Sequence, residues 1–102
     1  MRTIKRRDDY CVYILRCPNG TFYTGYTNNL EARVRRHNAG HGAKYLRGKS
    51  PAKVVYVKEY RYYKSALNEE RRIKTLSRKV KEKLIKAYTK NIRKEKKVKL
   101  LC

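Results

Sequence analysis

The chain is 102 residues long and carries 29 Lys and Arg against 8 Asp and Glu, a formal net charge of +21. That length allows one domain with a thin core, and 40 % hydrophobic residues suffice for it. Self-repulsion at this charge calls for a polyanionic partner, and the spread of basic residues along the whole chain favours DNA or RNA over an anionic membrane.

Met1 to Asp9 is charged and lacks the apolar core of a signal peptide. No stretch approaches the ~20 apolar residues of a membrane span. The expectation is a cytoplasmic, reduced protein without a membrane partner. Three cysteines are an odd number, which argues against a disulfide framework. Cys11, Cys17, His37 and His41 contain an H-x3-H spacing, but the two cysteines fall on one predicted strand, about 20 Å apart. Their C-x5-C spacing also lies outside the zinc-finger range, so zinc is set aside. Ten Tyr, one Phe and no Trp suggest a core near solvent, with some hydroxyls turned into a polar site.

Tyr10 to Arg16 is β-branched and aromatic on both faces, which predicts a buried strand. Cys17-Pro18-Asn19-Gly20 has the chemistry of a three-residue hairpin loop with a bulge, and Thr21 to Tyr26 is the return strand. If Cys17 pairs with Thr21, then Leu15 faces Tyr23 and Tyr13 faces Gly25. Tyr13 and Tyr23 become diagonal neighbours about 7–8 Å apart. Gly25 leaves open space above Tyr13.

The pattern predicts a helix capped by Asn28, with Glu31 in capping-box position and Gly40 at the left-handed C-terminal position. Leu30 and Val34 form its apolar stripe; Arg33 and His37 are i, i+4 neighbours beside it. Residues 41–51 form a long loop suited to binding. A third strand is predicted over Lys53–Tyr60, a helix capped by Ser65 to about Leu76, and another capped by Ser77 from Arg78 to about Tyr88. Residues 89–102 are a short continuation helix or a flexible basic tail. The division is a basic arm over 1–8, a domain over 9–88 and a basic tail over 89–102.

On a wheel of the second helix, Ala66 at zero puts Leu67 at about 100°, Ile73 at about 340° and Glu70 at about 40°. A carboxylate facing a core is costly unless paired or bound to a cation. An internal salt bridge, for instance to Lys74 or Arg33, satisfies that requirement. So does a role as metal ligand or catalytic carboxylate.

In this order, Cys11-Val12-Tyr13, Tyr23-Thr24-Gly25, Arg33 in Asn29-Leu30-Glu31-Ala32-Arg33, and Glu70 in Ala66–Lys74 resemble the signatures of the GIY-YIG endonuclease superfamily. The resemblance is closest to its small stand-alone, YhbQ/YazA-like members and spans roughly residues 9–88. It implies an α+β fold, a small three-stranded antiparallel sheet flanked by three helices. It also implies phosphodiester hydrolysis in DNA with one Mg²⁺ or Mn²⁺ ion, in repair or recombination. Glu70 would hold the metal, Arg33 would clamp phosphate oxygens, and Tyr13 or Tyr23 would orient or deprotonate water. His37 is a further catalytic candidate. Tyr26, Lys44, Tyr45, Arg47 and Lys49 are candidate nucleic-acid contacts. Cys11 stands in place of the motif Gly and Thr24 in place of Ile. Tyr26 replaces the Lys of the excision-repair members, and His37 their Tyr. The alternatives are a non-catalytic binder of DNA or RNA and a protein-interaction adaptor.

Overall fold

A computed structural model describes residues 6–41 and 52–101, with side chains over 6–39 and 52–92. Strand β1 (Arg7–Arg16) lies in the centre of a three-stranded sheet, between β2 (Phe22–Thr27) and β3 (Lys53–Tyr62). Both pairings are antiparallel. A strand covered on both faces must be apolar on both faces, and Tyr10 to Leu15 are all buried. β1 begins three residues earlier than predicted because Arg7 pairs with Tyr62 at the far end of β3.

The hairpin follows its turn chemistry. Cys17 N–H donates to the Thr21 carbonyl and Gly20 N–H to the Cys17 carbonyl, both at 2.9 Å. Gly20 adopts a φ of 86°, the left-handed conformation that glycine adopts without a Cβ clash. The resulting register sets Tyr13 opposite Gly25 and Leu15 opposite Tyr23, as the loop length requires.

Helix α1 (Leu30–Arg36) starts one residue later than expected. Asn29, not Asn28, is the cap: its side-chain oxygen accepts from Ala32 N–H at 3.1 Å. Asn29 N–H in turn donates to Thr27 Oγ1, while the Asn28 amide donates to Asp8. Glu31 therefore leaves the capping-box position and pairs with Arg35 instead. After Arg36 the chain makes a π-helical turn over His37–His41. Gly40 lies inside this turn rather than in a left-handed cap.

Helix α2 (Tyr63–Thr75) begins two residues before the predicted Ser65 cap. Tyr62 is its cap residue and makes no side-chain capping bond. The Tyr63 N–H, an orphan donor of the first turn, finds the Arg6 carbonyl at 3.1 Å, so a tertiary contact replaces a local cap. Helix α3 (Arg78–Leu101) is capped by Ser77, whose hydroxyl accepts from Val80 N–H. It runs on through the segment that composition left as helix or tail.

Side chains alternate across a strand, so β1 feeds two cores. On one face Val12, Ile14 and Tyr56 pack with Ala66 and Ile73 of α2, joined by Leu84, Ile85 and Tyr88 of α3. On the other, Cys11, Tyr13 and Leu15 pack with Tyr23, Val57 and the α1 residues Leu30 and Val34.

Candidate active site

The hairpin and α1 assemble one group of the predicted residues. Tyr13 and Tyr23 lie on the α1 face with ring centroids 6.5 Å apart and planes inclined by 41°. Gly25 is the floor beneath them. A Cβ built there would meet Tyr13 Oη at 2.6 Å, Tyr13 Cζ at 2.8 Å and Tyr23 Cε1 at 3.2 Å. The absent side chain thus holds the Tyr13 ring rather than an empty space. This corrects the expectation of an open approach above Tyr13, which is only 1 % exposed.

The Arg33 guanidinium of α1 acts on the Tyr13 hydroxyl electrostatically. Burial pushes the Tyr13 phenol up from its ordinary value, and the Arg33 charge partly offsets this. Tyr13 therefore keeps its proton near neutrality. Tyr23 is the less buried of the two.

His37 follows one turn after Arg33. An i, i+4 neighbour of an exposed Arg reads as a solvated helix residue, yet His37 is 3 % exposed. Its αR backbone keeps the helical period, which sets His37 on the same face as Leu30 and Val34 and turns the imidazole inward. Neither ring nitrogen has a hydrogen-bond partner among the described residues.

Glu70 belongs to a second group. It is buried on the sheet-facing side of α2, one turn from Ala66 and one from Ile73, as the wheel places it. Its Oε1 pairs with Lys74 Nζ at 2.6 Å, the internal salt bridge named as the structural option. Nearby, Tyr26 Oη donates to Tyr63 Oη at 3.4 Å, and the two rings meet edge to face. The bond to Tyr63, burial and the Glu70 charge together push Tyr26 up to about 12. Tyr26 and Glu70 thus share one electrostatic environment.

The two groups occupy opposite faces of the sheet and meet at β2, its edge strand, which sends Tyr23 to one face and Tyr26 to the other. Sequence reasoning missed Tyr63. It falls at about 60° on the same wheel, beside Glu70. Starting the helix at Ser65 left it off. Lys44, Tyr45, Arg47 and Lys49 lie outside the described residues.

The chemistry around Glu70 fits a hard divalent cation. Such an ion takes oxygen ligands, keeps several waters and needs only one or two protein carboxylates. Glu70 offers a second carboxylate oxygen beyond the one paired with Lys74. Among the described residues no cluster of three or more His, Cys, Asp or Glu stands as an alternative.

Comparison with known proteins gives the family. The GIY-YIG catalytic domain family matches residues 9–85, and the chain belongs to that family. It is similar to a UPF0213 protein of Oceanobacillus iheyensis, 53 % identical over 76 % of this chain and 91 % of the relative. One from Natronomonas pharaonis is 47 % identical over the same two shares. Among solved structures, the UPF0213 protein BH0048 of Bacillus halodurans is 39 % identical, with a TM-score of 0.52 over 78 % of this chain and 84 % of its own. Protein EF2693 of E. faecalis is 33 % identical, with a TM-score of 0.57 over 84 % and 92 %. The chain is thus a small stand-alone GIY-YIG protein, and its domain implies nuclease chemistry on nucleic acid. No helix among the described residues is long and apolar enough to cross a membrane.

Proposed function

We propose that the protein is a metal-dependent DNA endonuclease that hydrolyses phosphodiesters, with a role in repair or recombination. The observation that carries this reading is the cluster of Tyr13, Tyr23 and Arg33 over Gly25, where two phenols and a guanidinium converge. Phosphodiester hydrolysis needs a placed water, stabilised charge on the phosphate and help for the leaving oxygen. Arg33 supplies a planar fork that matches two non-bridging phosphate oxygens. Tyr13, protonated and under the Arg33 charge, serves as a hydrogen-bond donor rather than a base. Tyr23 is the phenol that would orient the attacking water and, as phenolate, receive its proton. His37 is the alternative acceptor, a buried imidazole with both nitrogens free among the described residues. Glu70 would hold Mg²⁺ or Mn²⁺, and such an ion supplies charge neutralisation at the phosphate and leaving oxygen. Tyr26 forms the wall on the Glu70 side, and Lys44, Tyr45, Arg47 and Lys49 supply backbone contacts.

The test is cleavage of single-stranded, duplex, flap and four-way DNA, with Glu70→Gln alongside. The wild type nicks at least one substrate with Mg²⁺ or Mn²⁺. Glu70→Gln cuts none while its affinity stays within about twofold. Equal cleavage by both proteins points to a contaminating nuclease and defeats the assignment.

The Lys74 pair favours a second reading, nucleic-acid binding without cleavage, because it already satisfies Glu70. Metal titration followed by NMR at Glu70 separates the two. No perturbation up to millimolar metal selects the binder.

A further inference from the structure

Helix α3 carries a feature that the candidate site does not use. Taking Lys79 as zero, Lys83, Lys86 and Lys90 fall at about 40°, 340° and 20°. Leu84, Tyr88 and Ile85, which pack onto the sheet, fall at about 140°, 180° and 240°. Four lysines therefore stand in line opposite the buried face, and all four are exposed. None of their side chains has an ion pair or hydrogen bond among the described residues. Glu82, the one acid between Arg78 and Lys90, is engaged with Arg78 at 3.1 Å.

The helix is held so that this row points in a fixed direction. At its start, Arg78 donates to the Gly20 carbonyl at 2.9 Å and lies 4.5 Å from the centre of the Phe22 ring. Nearly three turns on, Tyr88 packs against Tyr56 of β3 with centroids 5.6 Å apart. The family match ends at residue 85, and α3 continues to Leu101.

We propose that Lys79, Lys83, Lys86 and Lys90 form a rigid ridge that binds the phosphate backbone of duplex DNA on the side of the sheet away from the tyrosine cluster. Lys79 to Lys90 spans about 16 Å of helix. Phosphates recur every ~3.4 Å of rise along one strand, so the ridge faces several in succession. Unpaired ammonium groups neutralise phosphates and release counterions without reading bases. A membrane is the weaker fit. The opposite face of α3 is occupied by the protein's own core, leaving no bulky apolar face to enter lipid. The inference rests on the reading that the protein acts on DNA.

The test is the salt dependence of binding to a labelled duplex, by fluorescence anisotropy without metal. Three proteins are compared. They are the wild type, a ridge variant with the four lysines changed to Gln, and a control with Arg7, Lys53, Arg61 and Lys64 changed to Gln. Both variants lose four positive charges. The ridge variant should flatten the slope of log K against log salt by about 2–4, at roughly 0.9 per phosphate contact. The control should change it by less than about 1. Equal flattening in both variants reduces the effect to net charge and overturns the ridge. So does an unchanged slope in the ridge variant, or loss of binding to phosphatidylserine vesicles with duplex binding intact. If the quadruple variant loses its helical circular dichroism, the Lys79/Lys83 and Lys86/Lys90 double variants carry the comparison. Failure of the endonuclease reading shows separately, as a wild type that binds duplex with a ridge-dependent slope but never cuts.

Discussion

Gly25→Ala tests whether the tyrosine cluster is a packed unit. The new methyl carbon would sit 2.6 Å from Tyr13 Oη and 2.8 Å from Tyr13 Cζ. Side-chain ends often swing away from such contacts at little cost. Tyr13 cannot, because it is 1 % exposed and lies among Cys11, Leu15 and Tyr23. Overpacking of this kind costs about 1–3 kcal/mol. For a domain of this size, each kcal/mol lowers the melting temperature by about 4–8 °C. The variant should therefore melt roughly 5–20 °C below the wild type, with a lower urea midpoint and an unchanged m-value. Pairing it with Tyr13→Phe removes the atom at the closest contact. Residues in contact couple by about 0.5–3 kcal/mol, so Gly25→Ala should cost less in the Tyr13→Phe background. A Gly25→Ala protein as stable as the wild type would refute the packing argument. Additive losses in the double variant would show that Tyr13 is not what the methyl meets.

Two further perturbations follow from buried polar groups. Thr24 is 4 % exposed and its Oγ1 has no hydrogen-bond partner among the described residues. An unsatisfied buried hydroxyl costs about 1–3 kcal/mol, so Thr24→Val should raise the urea midpoint, and a lower midpoint would contradict it. Glu69 is held below the ordinary carboxylate range, first by Arg72 and then by the Tyr60 hydroxyl at 2.5 Å, against an opposing effect of burial. Its contribution to stability is complete above the unfolded glutamate pKa and is lost as pH falls through the lower folded value. Denaturant midpoints in acid should drop less steeply for Glu69→Gln than for the wild type, and parallel curves would count against the pairing.

What the sequence disclosed depended on whether local or tertiary contacts decide. The hairpin was fully legible because Pro18 and Gly20 impose the turn, and loop length alone then fixes which faces Tyr13 and Tyr23 occupy. Glu70 was legible from periodicity, since Ala66 and Ile73 bracket it on the wheel. Helix starts were not. Asn28 and Asn29 are equal as caps until Asp8 claims one and Thr27 the other. Ser65 is a better local cap than Tyr62, but the Arg6 carbonyl supplies the missing acceptor from a neighbouring segment. The burial of His37 was legible in spacing: it stands seven residues after Leu30 and three after Val34, on the apolar stripe of α1, and its αR backbone keeps that period.

The substitution at Tyr26 links these readings. The excision-repair members of the family that the sequence resembles carry Lys at this position. Here the hydroxyl of Tyr26 is held in its neutral form by Tyr63 and Glu70, so it brings a hydrogen bond and no charge. A buried carboxylate still needs a counter-charge. Lys74 provides it from one turn further along α2, at 2.6 Å. Lys74 is about half exposed to solvent, so its charge can swing away without disturbing the sheet. The Lys74 pair is therefore compatible with a carboxylate that exchanges its partner for a metal ion, whereas a buried lysine fixed on β2 would be harder to displace.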